Sequence, residues 1–282
     1  MTNKEDGMFK TDDNLNLYFR GYKNKNTARW MIIVHGHGEH SGRYEKFAEI
    51  LRDEGVSIAS YDARGTGRSE GREVYVNTFE EYIQDLTTFV EFARNRWSIK
   101  ERFVLFGHSL GGLAALHWAL RHPETIQTLI LSSPCLGLRI PAHLSILNKT
   151  LNCIAPFYVY KDPVYPPYLS HDLEEVERYK NDPYVKRKIT VRLLDEMINY
   201  AAKIQKMQHM TLQCPFYVLM AGKEKVVNPA VTLKIYDRVS APRKNLRCFE
   251  DFYHEIFNEQ EQSRAFDALK ESLQDSLKFA PE

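Results

Sequence analysis

One short stretch of the sequence has the residue types of a nucleophilic hydrolase. The segment Gly107-His-Ser-Leu-Gly111 follows an apolar run and precedes a helix-forming run. Where a strand turns directly into a helix, the positions two residues either side of the tip must be small, and the serine at the tip projects its hydroxyl away from the backbone. The sequence therefore predicts Ser109 as a nucleophile. An ordinary loop rich in small residues is the alternative, and the strand-and-helix context disfavours it.

A serine hydroxyl needs a base that accepts its proton, and the base needs an acid that orients it. When the serine lies at such a turn, the three residues follow the chain order serine, carboxylate, histidine. His254 lies just after the last predicted strand, whereas three other histidines beyond the helix that follows Ser109 lie within an inserted block. We therefore predict His254 as the base. The alternative is an exposed loop histidine without a catalytic role.

The acid is less firmly defined by the sequence. It is expected just after the strand that resumes the sheet, and Glu224 is the one carboxylate in the loop at 221–228. Glutamate can replace aspartate in this role with one extra methylene. Asp251, three residues before His254, is the main alternative, and Asp237 is a more distant third. From the sequence, Glu224 is the preferred acid and the other two stay open.

Two backbone N–H groups are needed to stabilise the oxyanion that forms when a carbonyl is attacked. One is expected from Leu110, the residue after the nucleophile, and the other from His37, in the loop after an apolar strand. The same loop contains several potential metal ligands: His35, His37, His40 and Glu39. Because they lie in a glycine-broken turn rather than one helical turn apart, we predict neither a metal nor another cofactor.

The elements that position these residues follow a regular alternation. Apolar runs of strand length alternate four times with helical patterns before residue 137, which predicts an α/β fold with a mostly parallel sheet and helices on both faces. Between 137 and 210 the alternation stops, and the sequence shows helical periodicity without a convincing strand. We predict a core formed by 1–136 and 211–282, with 137–210 as a helical cap over the site.

Composition limits the functional classes. The chain has 282 residues, of which 43% are hydrophobic and 27% charged, as in soluble globular proteins. Lysine plus arginine number 38 against 37 for aspartate plus glutamate, so the charge balance gives no support for a nucleic-acid partner. Four cysteines without Cys-x-x-Cys spacing suit a reducing compartment. With a polar amino-terminal segment and no long apolar run, a cytoplasmic enzyme is expected.

Four motifs and one cap tripeptide carry a resemblance that extends over nearly the whole chain. They are His35-Gly-His-Gly-Glu-His-Ser-Gly-Arg-Tyr44, Asp62-x-Arg-Gly-x-Gly-x-Ser69, Gly107-His-Ser-Leu-Gly-Gly112, Tyr253-His-Glu255 and, in the cap, Asn181-Asp-Pro183. Together they resemble the monoacylglycerol lipase and lysophospholipase branch of the α/β-hydrolase family. The first motif is specific to that branch, whereas the motif around the serine is shared by the wider superfamily.

The resemblance implies roles for individual residues. Ser109, Glu224 and His254 match the catalytic triad of the family, and His37 and Leu110 match its oxyanion donors. Glu39 and Arg43 match positions that help to hold the glycerol head group in the monoglyceride enzymes. Two departures stand out. The acid is usually aspartate in the family, and Phe257 stands where the animal enzymes can have a second, glycerol-contacting histidine, which leaves the alcohol half of the substrate open.

The expected activity is hydrolysis of carboxylic esters of long-chain acyl groups through an acyl-enzyme intermediate, with monoacylglycerol or a lysophospholipid as substrate. A short-chain carboxylesterase is the alternative within this class, and a non-catalytic ligand receptor of the same fold is the alternative outside it. Aromatic residues in the cap suggest transient contact with a membrane or micelle: Phe157, Tyr158, Tyr160, Tyr165 and Tyr168. Head group, chain length and oligomeric state stay open.

Overall fold

The computed structural model describes residues 3–161 and 164–279 of the chain. Within these residues the strands are β1 Asn3–Lys10, β2 Asn16–Lys23, β3 Arg29–Val34, β4 Val56–Tyr61, β5 Phe103–His108, β6 Ile126–Ser132, β7 Val159–Lys161, β8 Lys188–Thr190, β9 Met210–Thr211, β10 Phe216–Ala221, β11 Val239–Ser240 and β12 Lys244–Phe249. The α-helices are α1 Glu45–Ile50, α2 Glu80–Trp97, α3 Leu110–Arg121, α4 Ala142–Ile154, α5 Leu173–Asn181, α6 Val191–Lys206, α7 Pro229–Arg238 and α8 Gln262–Ser276.

The main sheet has eight strands in the order β1-β2-β4-β3-β5-β6-β10-β12. From β4 to β12 all neighbouring strands are parallel, whereas β2 pairs antiparallel with both β1 and β4. The inner strands are buried along their whole length, as expected when helices cover both faces of a parallel sheet. This confirms the α/β fold that the alternation of apolar runs predicted.

Two apolar layers lie on opposite faces of the sheet. The larger layer contains α2, α3 and α6, and residues such as Phe89, Leu116 and Leu193 pack there against one face of the strands. The smaller layer contains α1 and α8, with Phe47 and Phe266 against the other face. Because all parallel strands run in one direction, their carboxyl ends meet at one edge of the sheet, where the loops after β3, β5, β10 and β12 converge.

The interval 137–210 contains α4, α5 and α6, and also a short pair of antiparallel strands that the sequence did not indicate. Strands β7 and β8 pair antiparallel, with Tyr160 opposite Ile189. The expectation that this block has no strand was therefore wrong. Three-residue strands are too short to show an alternating pattern, and these two lie almost thirty residues apart in the chain. The exact boundaries of the cap stay a prediction.

Helix α6 packs on the core next to the functional edge of the sheet. Phe79 stacks on Tyr200 with ring centroids 4.6 Å apart, and the backbone N–H of Phe79 donates to Glu196 Oε2 at 2.8 Å. His117 in α3 bonds the carbonyl of Tyr200 at 3.1 Å. Along the described parts of the chain, no helix is both long enough and apolar enough to cross a membrane.

Candidate active site

Ser109 lies at a sharp turn between β5 and α3. Its φ of 50° and ψ of −116° place it in a region that residues other than glycine rarely adopt. A β-carbon on Gly111 would collide with the carbonyl oxygen of Val34, and one on Gly107 would approach the Gly111 carbonyl oxygen to 2.6 Å. The small residues therefore allow the close approach of strand and helix that the strained serine requires.

The structure brings Ser109, His254 and Glu224 together from three different loops. The Ser109 Oγ lies 3.0 Å from His254 Nε2, and His254 Nδ1 lies 2.8 Å from Glu224 Oε2. All three side chains are buried. Because an ionised carboxylate can only accept a hydrogen bond, Nδ1 carries the proton and Nε2 is left to accept from the serine hydroxyl. This arrangement can deprotonate the serine as it attacks a substrate.

The loop after β10 orients Glu224 through its own backbone. The N–H groups of Val226 and Val227 donate to Oε1 at 2.7 and 3.2 Å, which leaves Oε2 directed at His254. Burial disfavours the charged carboxylate, but His254 and the two N–H groups outweigh it and hold the pKa of Glu224 below its ordinary value. The carboxylate is therefore ionised at neutral pH.

The two alternative acids lie elsewhere. Asp251 is exposed and accepts a hydrogen bond from Arg264 Nη1 at 2.8 Å. Asp237 is exposed on α7. Neither side chain bonds His254, so the geometry favours Glu224 as the orienting carboxylate.

His254 is surrounded by carboxylates. Burial disfavours the imidazolium, but the charge of Glu224, reinforced by Glu255 and Glu39, more than compensates, so the pKa of His254 lies above its ordinary value. The same environment stabilises the imidazolium that forms after the serine loses its proton.

The two residues expected to supply the oxyanion donors flank the serine. Leu110 is the first residue of α3, so its N–H has no carbonyl partner within the helix. His37 lies in the loop after β3, and its Nε2–H donates to the carbonyl of Lys188 in β8 at 3.0 Å. Burial lowers the pKa of the His37 imidazole to about 4, which keeps it neutral. The roles of the two backbone N–H groups stay a prediction.

A cavity of about 350 Å³ opens beside Ser109 and His254. Apolar residues from the core and from the interval 137–210 form most of its wall, among them Leu138, Leu144, Leu147, Ile189, Leu194, Met197 and Val227. Polar side chains gather at the end next to the serine: Glu39, His108, Tyr179 and Glu255. We call these two sets of lining residues the apolar compartment and the polar compartment of the cavity.

Glu39 and Arg43 occupy different places relative to the cavity. Glu39 lines it, whereas Arg43 lies behind the wall and binds two carboxylates. Arg43 donates to Glu39 Oε2 at 3.1 Å and to both oxygens of Glu255 at 2.7 and 2.6 Å. Tyr44 and the N–H of Gly36 donate to the other oxygen of Glu39 at 2.8 and 2.6 Å. Arg43 therefore holds the cavity wall together rather than facing the cavity.

Three residues of the polar compartment, His108, Tyr179 and Glu255, were not predicted as site residues. His108 and Glu255 both line the cavity, and each is the direct chain neighbour of a triad residue. That adjacency was the available signal, because a residue next to Ser109 or His254 cannot lie far from the reacting atoms. Burial lowers the pKa of His108 to about 4, so its imidazole is neutral.

The histidines of the loop after β3 do not converge. His35 Nε2 accepts from the backbone N–H of Ala63 at 2.8 Å, His37 bonds Lys188, and His40 bonds Asp182 at 2.9 Å. Among residues 3–161 and 164–279, no cluster of histidine, cysteine, aspartate and glutamate side chains is arranged to hold a metal ion.

Comparison with known proteins places these features in context. The family model described as serine aminopeptidase, S33, matches residues 25–261. Phospholipase YtpA of Bacillus subtilis is 32% identical over 244 residues, which cover 85% of this chain and 93% of that protein. Monoacylglycerol lipase of Mycolicibacterium smegmatis is 29% identical over 240 residues, which cover 84% of this chain and 85% of that protein.

A solved structure gives the corresponding likeness in three dimensions. The soluble variant of monoglyceride lipase from Saccharomyces cerevisiae, in complex with a substrate analog, superposes with a TM-score of 0.88 over 100% of this chain and 97% of that one. Because the two sequences are only 19% identical, this likeness concerns the fold alone.

Proposed function

Because the chain belongs to the serine aminopeptidase S33 family of α/β hydrolases, we propose that it cleaves carboxylic esters of long-chain acyl groups through an acyl-enzyme intermediate. Monoacylglycerol or a lysophospholipid is the proposed substrate. The observation that carries the proposal is the chain of hydrogen bonds from Ser109 through His254 to Glu224, beside a cavity whose wall is mostly apolar. Relatives named phospholipase and monoacylglycerol lipase support the substrate class.

The proposed reaction uses these groups in sequence. The Ser109 Oγ attacks the ester carbonyl while its proton moves to His254 Nε2, and the N–H groups of His37 and Leu110 bind the oxyanion. His254 then gives the proton to the departing alcohol, which leaves an acyl-serine. A water molecule then attacks the acyl-serine carbonyl and loses a proton to His254. His254 returns this proton to the Ser109 Oγ as the carboxylic acid leaves.

We place the acyl half of the substrate in the apolar compartment and the alcohol half in the polar compartment. An acyl chain gains free energy by leaving water for an apolar wall, so it is placed among the leucine, isoleucine and methionine side chains. The alcohol then lies in the polar compartment, next to Glu39 and Glu255. Phe257 does not line this cavity but packs between Phe47 and Phe266.

The cap is proposed to contact the surface of a membrane or micelle. Large apolar side chains are exposed on α4 and the segment after it: Leu144, Ile146, Leu147, Ile154, Phe157, Tyr158, Tyr165 and Tyr168. The segment from Leu136 to Lys161 contains Arg139, Lys149 and Lys161 but no aspartate or glutamate. Exposed apolar and basic side chains together favour a lipid surface.

The test of the proposed function compares wild type with Ser109→Ala. We expect wild type to react with a fluorophosphonate probe and to hydrolyse monoacylglycerol, and the variant to lose 10⁴-fold to 10⁶-fold or so in turnover with its fold intact by circular dichroism. Turnover by Ser109→Ala at the wild-type rate contradicts the proposal. A wild type that neither reacts with the probe nor turns over esters supports a non-catalytic receptor.

A panel of glycerol esters with increasing acyl length separates the two esterase alternatives. A long-chain enzyme gains kcat/KM with each methylene that the apolar compartment accepts. A maximum at acetyl or butyryl esters favours the short-chain carboxylesterase.

A further inference from the structure

The polar compartment next to Ser109 contains two carboxylates and one guanidinium. Glu39 and Glu255 are 4% and 7% exposed, and both line the cavity. Arg43 is bound to both of them, and Asn258 Nδ2 also donates to Glu255 Oε2 at 2.7 Å. Two negative charges therefore share one positive charge, so this group of three side chains carries a net charge of −1.

The neighbouring ionisable groups do not neutralise this charge in the reactive form of the enzyme, in which His254 is neutral because it has to accept the serine proton. Burial opposes ionisation of both carboxyls, but Arg43 overcomes it, holding the pKa of Glu39 below its ordinary range and lowering that of Glu255 to about 2. His108 stays neutral because burial lowers its pKa. Tyr179 stays neutral because burial raises its pKa.

Two further cations lie near this group but outside the cavity wall. Lys46 pairs with Glu175 at 3.7 Å. Arg187 acts electrostatically on Tyr179, and its side chain is exposed, so water screens it. Neither residue lines the cavity. Arg139 does line it, but its Nε donates to the carbonyl of Val227 at 3.0 Å and the residue is exposed, so water screens its charge.

The carboxylates lie close to the reacting atoms. A β-carbon built on Gly36 would be 2.9 Å from Glu39 Oε1 and 3.2 Å from Ser109 Cβ, so these two atoms are no more than about 6 Å apart. Glu255 follows His254 directly in the chain, and its charge acts on the His254 imidazole. Both carboxylates therefore line the cavity into which the alcohol of an ester bound at Ser109 can extend.

We infer that the pair Glu39 and Glu255 selects esters whose alcohol is uncharged or cationic, and rejects esters that carry a phosphate on the alcohol, with Glu255 as the determining residue. The inference rests on the proposed function and narrows its substrate class to monoacylglycerol, because a lysophospholipid carries a phosphate on its alcohol. A phosphate in this compartment loses its water and meets net negative charge, while the guanidinium of Arg43 is already bound by both carboxylates. Uncharged hydroxyl groups can instead donate to the carboxylate oxygens.

The experiment measures kcat/KM for three soluble esters with the same short acyl chain, so that binding to a lipid surface has no influence. They are 1-butyrylglycerol, butyrylcholine and 1-butyrylglycerol 3-phosphate. We expect wild type to hydrolyse the first two at least about tenfold better than the phosphate ester, well within the roughly thousandfold effect of unit charges ~4 Å apart at an effective dielectric constant of ~20.

Glu255→Gln keeps the shape of the side chain and removes its charge. This variant is expected to reduce the preference for butyrylglycerol over its phosphate by about tenfold, and to lower kcat/KM for butyrylcholine relative to butyrylglycerol. Asp251→Asn is the matched control, because it removes one exposed carboxylate from the same loop and is expected to leave both ratios unchanged.

The inference is overturned if wild type hydrolyses the phosphate ester as well as butyrylglycerol, or if Glu255→Gln and Asp251→Asn change the ratios equally. If Glu255→Gln does not fold, Glu39→Gln is measured in its place. It must then reduce the kcat/KM ratio of butyrylglycerol to butyrylglycerol phosphate. Failure of the proposed function is distinguishable, because it appears as absent hydrolysis of long-chain monoacylglycerol as well as of all three esters, or as hydrolysis that persists in Ser109→Ala.

Discussion

Glu224 reaches His254 across one more methylene than the aspartate usual in this family. Its two oxygens have separate tasks: Oε1 accepts from the N–H groups of Val226 and Val227, and Oε2 accepts from His254. The backbone contacts fix the extra rotatable bond, so the longer side chain still presents its oxygen at 2.8 Å. A glutamate at this position therefore depends on the loop that follows β10 for its orientation.

Replacing Glu224 by glutamine is expected to lower kcat by about 10⁴-fold, because an amide neither fixes the imidazole tautomer nor stabilises the imidazolium. Asp251→Asn is expected to change kcat by less than about twofold, since Asp251 is exposed and bonds Arg264. Steady-state rates on a soluble ester provide the measurement. The opposite ranking of the two variants assigns the acid to Asp251.

The pH dependence of kcat/KM is expected to report the environment of His254. The base must be neutral to accept a proton, so activity falls as pH drops through its pKa, and carboxylates raise that pKa above the ordinary value of 6.5. The acidic limb should therefore have its midpoint above pH 6.5. In Glu224→Gln the burial that lowers the pKa remains while the main opposing charge is lost, so the residual activity should show the limb at lower pH. A limb that does not move contradicts this assignment.

That Ser109, His254 and Glu224 lie together was expected because chain order and local pattern restrict each of them, and their catalytic roles stay a prediction. The glycines two residues either side of Ser109 indicate the turn, and the position of His254 after the last strand indicates the base. The cluster of Arg43 with Glu39 and Glu255 was not predictable, because a salt bridge between residues 212 positions apart leaves no local pattern. Glu255 has the same residue type as many surface positions, and only the fold shows that it is buried.

At the scale of elements, hydrogen bonds and ring stacking hold the segment before α5 against the loop that carries His254. The N–H of Glu255 donates to the carbonyl of Leu169 at 2.8 Å, and the rings of His171 and Tyr253 stack 3.7 Å apart. The buried carboxylate of Glu259 accepts from the N–H of Tyr253 at 2.6 Å, from the N–H of His171 at 3.0 Å and from His171 Nδ1 at 2.8 Å. Glu259 therefore connects the segment before α5 to the loop that carries His254, and Glu259 itself does not line the cavity.

Glu259→Gln is expected to lower kcat by about tenfold with a smaller change in KM, because it removes an acceptor that holds the loop of His254 in place. The rate of fluorophosphonate labelling should fall in parallel, since labelling also needs the aligned histidine. Glu261→Gln is the matched control, an exposed glutamate two residues away that bonds Arg264. A loss confined to thermal stability, with kcat and labelling rate unchanged, would contradict a positioning role.

The elements were predicted with uneven success, and the differences have physical causes. The parallel sheet was predictable because strands buried on both faces form continuous apolar runs, as from Val104 to Phe106. Strands β7 and β8 were not, because their stability comes from pairing with each other rather than from a pattern within three residues. Helix α4, Ala142–Ile154, lies in the interval whose helical periodicity the sequence shows.

At the scale of the whole molecule, exposed apolar area and charge are unevenly distributed. The net charge is only +1, yet the segment from Leu136 to Lys161 has basic residues and no acidic ones. Leu144 and Leu147 are half exposed and also line the cavity, so they contact both solvent and the acyl compartment. Ile146 and Ile154 are 67% and 77% exposed and lie outside the cavity wall. The two isoleucines therefore test surface contact more cleanly than the two leucines.

The double variant Ile146→Glu and Ile154→Glu is expected to slow hydrolysis of micellar or vesicle-bound monoacylglycerol by about tenfold or more, because charged side chains oppose entry into a lipid surface. Hydrolysis of soluble butyrylglycerol should be unchanged. Leu233→Glu, at an exposed leucine on α7, is the control and should affect neither substrate. Equal losses on both substrates would mean that the isoleucines support the fold of the cap rather than binding to lipid.

The contacts of β8 have a consequence for protein engineering. His37 donates to the carbonyl of Lys188 in β8, and the carbonyl of Gly38 accepts from the N–H of Lys186 at 2.7 Å, just before β8. The loop after β3 is therefore hydrogen-bonded to the interval 137–210. Chimeras that exchange the whole interval 137–210 between relatives would separate this loop from the partner that shapes it. A donor cap is therefore expected to need its own loop at 35–44, because the two segments bond each other through their backbones and His37.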